Sequence, residues 1–230
     1  MTNLINYIKE SLERSPYYEF FGKIPVYIND PVTNHIDVKT SFKRIEQLVP
    51  SFLTNNIKHV IIGKNKEFSE NYVNAMFKDG VLYVTNVQDD EEDLIDDIVH
   101  EIAHSVEEYV RKIINKDKEI KNEFLAKRNT LYNILKNQGI EIKKSLFKNT
   151  KYSRELDMFL YKDVGYEKLR NLIVDVFISP YAATSLREYF AIGFEEYFLG
   201  DKKYLKRTSP KLFEKIYLLD NYETMGELNV

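Results

Sequence analysis

Apolar residues recur at helical spacing in the centre of the chain, which predicts an amphipathic helix with one buried face. Asp89 or Asp90 can cap its start, and acidic residues fill its first turn, where the helix dipole favours negative charge. The predicted core stripe consists of Leu94, Ile95, Ile98, Val99, Ile102, Ala103, Val106, Tyr109, Val110 and Ile113.

The region before this helix carries strand patterns. Short apolar runs at 24–29 and 59–63 predict strands, and residues 40–53 predict a helix that Pro50 disturbs. Asp79-Gly80 separates two apolar runs, which predicts a tight hairpin over 75–85. Its second strand, Val81 to Thr85, leads into the central helix. We therefore expect a small mixed sheet with a helix packed against it.

The region after residue 115 is predicted to be helical throughout, so the fold class is α+β. Helix-like spacing occurs near 117–137, 141–148, 153–161 and 166–177, with breaks at Gly139 and Gly165. In a last helix-forming stretch, Pro180 is predicted to end the preceding helix, Ser185 to start a new one and Gly200 to end it.

Composition limits the chemistry that the chain can support. Its 230 residues fit one large domain or two small ones, and 43% hydrophobic residues are enough for a sizeable core. A net charge of −3 gives no general attraction to polyanions. The absence of cysteine excludes disulfides and thiolate metal sites, which leaves histidines and carboxylates as the available zinc ligands.

The first ten residues are predicted to form a short amphipathic helix rather than a signal peptide, since they lack a charged n-region and an apolar h-region. No apolar run approaches the ~20 residues that span a bilayer. We expect no membrane association and a cytoplasmic, virion-associated or complex-associated protein, with secretion as the alternative.

Charge is divided sharply along the central part of the sequence. Residues 86–110 hold ten acidic residues and no Lys or Arg, whereas residues 111–151 hold twelve Lys or Arg and four acidic residues. A basic helical arm is one way to bind nucleic acid or an acidic partner. No nucleic-acid motif accompanies it, so we favour solvated helix faces that balance the acidic segment.

The sequence His100-Glu101-Ile102-Ala103-His104 lies within the central predicted helix and uses two of the four histidines. Histidines four residues apart lie on one helical face and can bind one metal ion. The intervening glutamate can accept a proton from water at the metal. His100, Glu101 and His104 lie off the predicted core stripe, so we expect them to face a cleft and to bind one Zn²⁺ per chain.

Catalytic zinc usually has three protein ligands, and a glutamate on a second helix is the usual third. Glu188, Glu195 and Glu196 in the stretch 179–200 are the candidates, and spacing does not separate them. Ser185 and Glu188 also match a capping box, in which Glu188 would only cap its helix. Gly193 within that helix suggests close approach to another backbone, for which the motif helix is the obvious neighbour.

The chain resembles the catalytic domain of anthrax lethal factor and the related clostridial Pro-Pro endopeptidases, which are gluzincin metalloproteases. The matching residues are His100, Glu101 and His104, followed by Tyr181 and by Glu188 in the segment Glu-Tyr-Phe-Ala. The resemblance implies that Glu188 is the third zinc ligand. It also implies that Tyr181 donates a hydrogen bond to the oxyanion of the tetrahedral intermediate.

The resemblance covers roughly residues 58–220 and implies a single zincin-like domain over 1–230, with an edge strand before the motif helix. On this basis residues 1–57 form an N-terminal extension, 58–115 the sheet and metal helix, and 166–220 the helical part with the third ligand. His104 and Tyr181 are 77 positions apart, a wider gap than the family leads us to expect, so the resemblance implies a helical insertion over 116–165. The chain departs from the family at Ile192, where a second glutamate is common, and in lacking the secretion signal.

These features together predict a zinc endopeptidase. The substrate is expected to be a protein or peptide that binds extended along the edge strand Val81–Thr85. The alternative is a non-catalytic zincin scaffold that serves as a structural or binding component of a phage particle or toxin complex. The sequence leaves cleavage specificity, natural substrate and oligomeric state open.

Overall fold

A computed structural model describes residues 16–71, 73–114 and 118–222. The helix predicted for the first ten residues lies outside these ranges. The chain divides into two compact units, residues 1–106 and 107–230. The described structure is α+β, with a five-stranded mixed sheet in the first unit and helices in the second.

The sheet of the first unit consists of β1 Tyr18–Phe20, β2 Ile24–Ile28, β3 His59–Ile62, β4 Ala75–Lys78 and β5 Val81–Val84. The order of the strands across the sheet is β1-β2-β3-β5-β4. The strands β2 and β3 are parallel, as are β3 and β5, whereas β1 and β4 are antiparallel to their neighbours. Val26, Val60 and Leu82 stand in one row across the three central strands, and all three are fully buried.

Helix α1, Val38–Leu48, packs on this sheet, as the sequence predicted. The rings of Phe20 and Phe42 meet edge to face at 4.9 Å between centroids. The Asp37 side chain accepts a hydrogen bond from the Thr40 N–H at 3.1 Å and caps the helix. The helix ends earlier than predicted, and residues Ser51–Thr54 form a separate 3₁₀ turn after Pro50. A short helix, α2, occupies Lys66–Asn71.

The predicted hairpin is confirmed, but the predicted edge strand is wrong. Asp79 and Gly80 both have positive φ, 54° and 84°, as a two-residue turn of this kind requires. This turn returns the chain so that β4 covers one side of β5, while β3 pairs with the other side. The strand that precedes the motif helix, β5, is therefore internal, and its neighbour β4 is an edge strand.

Helix α3, Glu91–Ile114, contains His100, Glu101 and His104. Asp90 rather than Asp89 caps it, because the Asp90 carboxylate accepts the Asp93 N–H at 2.9 Å. The predicted stripe is buried from Leu94 to Val106. Tyr109 is an exception, since it is 79% exposed and does not belong to the core. The side chains predicted to continue the stripe beyond Tyr109 lie outside the described part.

The second unit is built from helices, as predicted, although several are shorter than the periodicity suggested. The stretch near 141–148 contains only a 3₁₀ turn, Lys144–Lys148, and the stretch near 153–161 continues into a π-helix, Phe159–Gly165. The α-helices are α4 Glu119–Asn137, α5 Arg154–Met158, α6 Tyr166–Leu172, α7 Leu186–Phe198, α8 Lys202–Thr208 and α9 Pro210–Asp220.

Helix α4 carries charged side chains into the interior of the second unit. Arg128 is fully buried, and the Lys127 ammonium donates to the carbonyls of Val176 and Thr208 at 2.5 and 2.6 Å. Glu123 accepts the Tyr189 hydroxyl at 2.8 Å. The prediction of solvated basic faces is therefore wrong for Lys127 and Arg128, which join α4 to the rest of this unit.

Helix α7 begins at the predicted cap, with the Ser185 hydroxyl accepting the Glu188 N–H at 3.0 Å. A Cβ added at Gly193 would lie 2.2 Å from Cδ2 of Leu212 on α9. Gly193 thus makes room for an apolar side chain of the same unit, and the predicted approach to another backbone is wrong. The helix ends at Phe198, two residues before Gly200. Among the residues that the structure describes, no helix is long and apolar enough to cross a bilayer.

Candidate metal centre

The helical geometry of α3 brings the three polar residues of the motif together, as their spacing predicted. The imidazole rings of His100 and His104 are 4.7 Å apart between centroids and nearly perpendicular, at 89°. One ligand atom each from His100, Glu101 and His104 lies within 4.8 Å of the others. Two imidazoles and a carboxylate at this separation can surround a single small cation.

The burial of these side chains points to a site rather than a solvated polar face. Glu101 is 6% exposed and His104 is 5% exposed, while His100 is partly buried. Removing a carboxylate from water costs free energy unless it is paired or binds a metal. Zinc accepts imidazole nitrogen at about 2.0–2.1 Å and carboxylate oxygen at about 2.0–2.2 Å, so this donor set fits zinc.

Neighbouring side chains of the first unit hold α3 on both sides of the motif. The Gln88 amide donates to the Asp97 carboxylate at 2.9 Å, one turn before His100. The Asn56 amide donates to the Ser105 carbonyl at 3.3 Å, directly after His104. These contacts fix the motif helix with respect to the loops beside it.

The other two histidines serve other contacts. The His35 ring hydrogen-bonds the Asp89 carbonyl at 2.9 Å, in an exposed loop near the start of α3. His59 lies in β3, where burial lowers the pKa of its imidazole.

In the second unit, Glu188 is the most buried of the three candidate third ligands. It lies in the first turn of α7 and is 8% exposed, whereas Glu195 and Glu196 are only partly buried. The Glu196 carboxylate accepts the Asp201 N–H at 2.9 Å. This hydrogen bond gives Glu196 a structural role at the C-terminal end of α7. Of the predicted capping box, the Ser185 half is present.

Tyr181 begins a 3₁₀ turn, Tyr181–Ala183, shortly before α7. Pro180 does not end a helix as predicted, because α6 ends at Leu172. Burial raises the pKa of the Tyr181 phenol far above its usual range, and the negative charge of Glu188 raises it further. Both effects favour the protonated phenol, which can donate a hydrogen bond.

A carboxylate with two phenol partners lies in the electrostatic surroundings of Tyr181, and no sequence pattern indicated it. Asp157 accepts the Tyr152 hydroxyl at 2.6 Å and the Tyr166 hydroxyl at 3.0 Å. Burial and the Asp157 hydrogen bond raise the pKa of Tyr152 to about 12. The charge of Asp157 also raises the pKa of Tyr181. These residues come from separate elements around the π-helix, so no local spacing links them.

The candidate residues thus form two groups, each within its own unit. The first unit holds the His100, Glu101 and His104 cluster, and the second holds Tyr181 and Glu188. Comparisons of the chain with models of known protein families, with curated proteins and with solved structures give no match.

Proposed function

We propose that the protein is a zinc endopeptidase of the gluzincin type, related to the lethal factor and Pro-Pro endopeptidase family that its motifs resemble. The observation that carries the proposal is the cluster of His100, Glu101 and His104, whose ligand atoms lie within 4.8 Å of one another on one helix. A peptide-library cleavage profile of the zinc-loaded protein tests the activity directly.

His100 and His104 are assigned the role of metal ligands, each through a ring nitrogen. Zinc, when bound, supplies Lewis acidity that lowers the pKa of a water molecule toward about 7. Glu101 has the role of general base, since its carboxylate lies next to both imidazoles. It accepts a proton from the attacking water and passes that proton to the amine that leaves.

Glu188 is proposed as the third ligand, which would complete the set that catalytic zinc sites use. Its burial supports this role, because a buried carboxylate favours a cationic partner.

Tyr181 is proposed as the donor that stabilises the oxyanion. Its phenol must remain protonated to donate, and its raised pKa meets that requirement. The substrate is proposed to bind extended, adding to the exposed edge of the sheet in the manner of other peptide-binding domains. Because β5 is internal, the neighbouring edge strand β4 is the strand to which we propose that the substrate adds.

We expect the purified protein to contain one zinc ion per chain. Zinc should leave in the presence of a chelator, and also as the pH falls, because an imidazole must be deprotonated to bind metal. Elemental analysis of the native protein, with dialysis over a series of pH values, measures both effects. Sub-stoichiometric zinc that does not rise on reconstitution would exclude the proposed function.

The substitution Tyr181→Phe should lower kcat by on the order of 10²–10³, with a smaller effect on KM, because the hydroxyl donates mainly to the developing oxyanion. Zinc content and melting temperature should change little, since the ring and its packing remain. Tyr197→Phe is the control, because it removes a phenol that donates to Asp220 at 2.8 Å. Equal kcat values for Tyr181→Phe and wild type would rule out the oxyanion role.

A further inference from the structure

The side chain of Arg128 on α4 is completely buried and donates only to main-chain carbonyls in the hydrogen bonds that the structure shows for it. Its Nε donates to Ala183 at 2.7 Å, and its Nη2 donates to Thr184. Its Nη1 donates to Asn149 at 2.7 Å and to Leu146 at 3.1 Å. One guanidinium thus joins two separate segments to α4.

Burying this charge is unfavourable, and the burial itself lowers the pKa of Arg128 to about 10. The ring of Phe124 lies 4.8 Å from the guanidinium carbon and contributes a cation–π contact. An apolar side chain would fill the same space without desolvating a charge. The four carbonyl contacts are therefore what distinguish arginine at this position from a hydrophobic residue.

The first segment that Arg128 holds lies between Tyr181 and Glu188. The Thr184 N–H and hydroxyl both donate to the Tyr181 carbonyl, at 2.9 and 2.8 Å, so Thr184 fixes the turn that begins with Tyr181. Ser185 follows and caps the first turn of α7 through the Glu188 N–H. Holding Ala183 and Thr184 in place therefore constrains the residues on either side of them.

The second segment supports the start of α7. Arg128 holds the carbonyls of Leu146 and Asn149, and the next carbonyl, that of Thr150, accepts the Leu186 N–H at 2.9 Å. Arg128 therefore constrains the start of α7 in two ways. It holds Ala183 and Thr184, which precede the helix, and it holds the segment 146–149, whose next residue accepts the Leu186 N–H. Both constraints act within a few residues of Glu188.

We propose that Arg128 is a positioning residue, whose guanidinium fixes the segment from Tyr181 to Glu188 in the geometry that the reaction requires. This inference rests on the proposed function, in which Tyr181 and Glu188 act at the zinc. It assigns a role to the segment 116–165, which the sequence suggested only as an insertion.

An arginine is needed because its planar fork presents five N–H donors in fixed directions. A lysine keeps the charge but donates from a single nitrogen, so Arg128→Lys cannot reach both segments in the same way. The neighbouring Lys127 provides a matched control. Lys127 is a partly buried cation of α4 and, like Arg128, donates to main-chain carbonyls. Its acceptors are Val176 and Thr208, which lie outside the segment from Tyr181 to Glu188.

The test compares Arg128→Lys, Arg128→Met and the control Lys127→Met in the full chain. Zinc affinity is measured by chelator competition, and kcat and KM are measured on a peptide selected from the library. A 3-fluorotyrosine at position 181 reports the surroundings of that ring by ¹⁹F NMR and requires no activity. If Arg128→Met does not fold, Arg128→Lys alone provides the comparison with the control.

We expect both Arg128 variants to shift or broaden the fluorine resonance and to lower kcat by on the order of 10²-fold, as misplacement by about 1 Å does. The control should lower the melting temperature while leaving the resonance and kcat near those of the wild type. An unchanged resonance and kcat in the Arg128 variants, with zinc and turnover present in the wild type, would overturn the positioning role alone. A wild type without zinc would overturn the proposed function and this role together.

Discussion

The substitution Glu101→Gln is expected to reduce peptide hydrolysis by on the order of 10²–10⁴-fold while leaving one zinc per chain. The amide of glutamine has nearly the shape of the carboxylate but cannot accept the proton of the attacking water. His100 and His104 remain in place, so metal binding should persist. Zinc analysis and kcat/KM on the same preparation, together with circular dichroism, measure the three properties.

Glu108→Gln is the matched control, because Glu108 lies on the same helix and is exposed. It removes the same charge from α3, so a shared loss of activity would indicate an electrostatic effect of the helix rather than proton transfer. Full zinc in the wild type without turnover on broad peptide libraries would instead favour the non-catalytic scaffold. Hydrolysis by Glu101→Gln at the wild-type rate would assign the base to another residue.

The elements predicted correctly are those that local sequence determines. The strand β3 is a short apolar run, and Asp79-Gly80 marks a turn because both residues must adopt positive φ. The start of α7 was also predicted correctly, since the Ser185 side chain accepts a backbone N–H that has no carbonyl partner in the first turn of a helix. In each case one or two adjacent residues carry the physical cause.

The errors concern arrangement rather than element type. Strand order depends on which strands pair. The apolar run from Val81 to Thr85 predicts a strand, but it does not indicate that β3 pairs with the side of this strand opposite β4. Tyr109 has the right helical phase for the core but is 79% exposed, because periodicity gives the face of a helix and not how far along it the covering residues extend.

The candidate site shows the same division. His100, Glu101 and His104 are neighbours within two helical turns, so the geometry of one helix suffices to bring them together. The residues alone made Glu188 one of three candidates, and only the resemblance selected it and Tyr181. Arg128 was not predicted, because the carbonyls that it contacts lie 18 to 56 positions away and a basic residue in a basic region carries no signal that it will be buried. Asp157 was not predicted, because its partners Tyr152 and Tyr166 lie outside its own helix.

The substitution Glu188→Ala is expected to weaken zinc binding by more than about 100-fold, since loss of an outer-sphere partner alone typically costs 10–100-fold and a direct ligand contributes more. Hydrolysis should fall with it. Glu195→Ala and Glu196→Ala are the controls, because both residues lie on α7 and spacing alone could not exclude them. Competition with a chelator of known affinity measures all three variants on one scale.

The control variants determine whether Glu188 or a later glutamate of α7 is the third zinc ligand. Glu195 lies seven residues after Glu188, nearly two full helical turns, and so presents its side chain to a similar direction from α7. Zinc loss in Glu195→Ala, with retention in Glu188→Ala, would move the third ligand along the helix and remove the basis for the role of Tyr181. Zinc loss only in Glu188→Ala would instead tie the metal to the one buried carboxylate among the three candidates, as its 8% exposure leads us to expect.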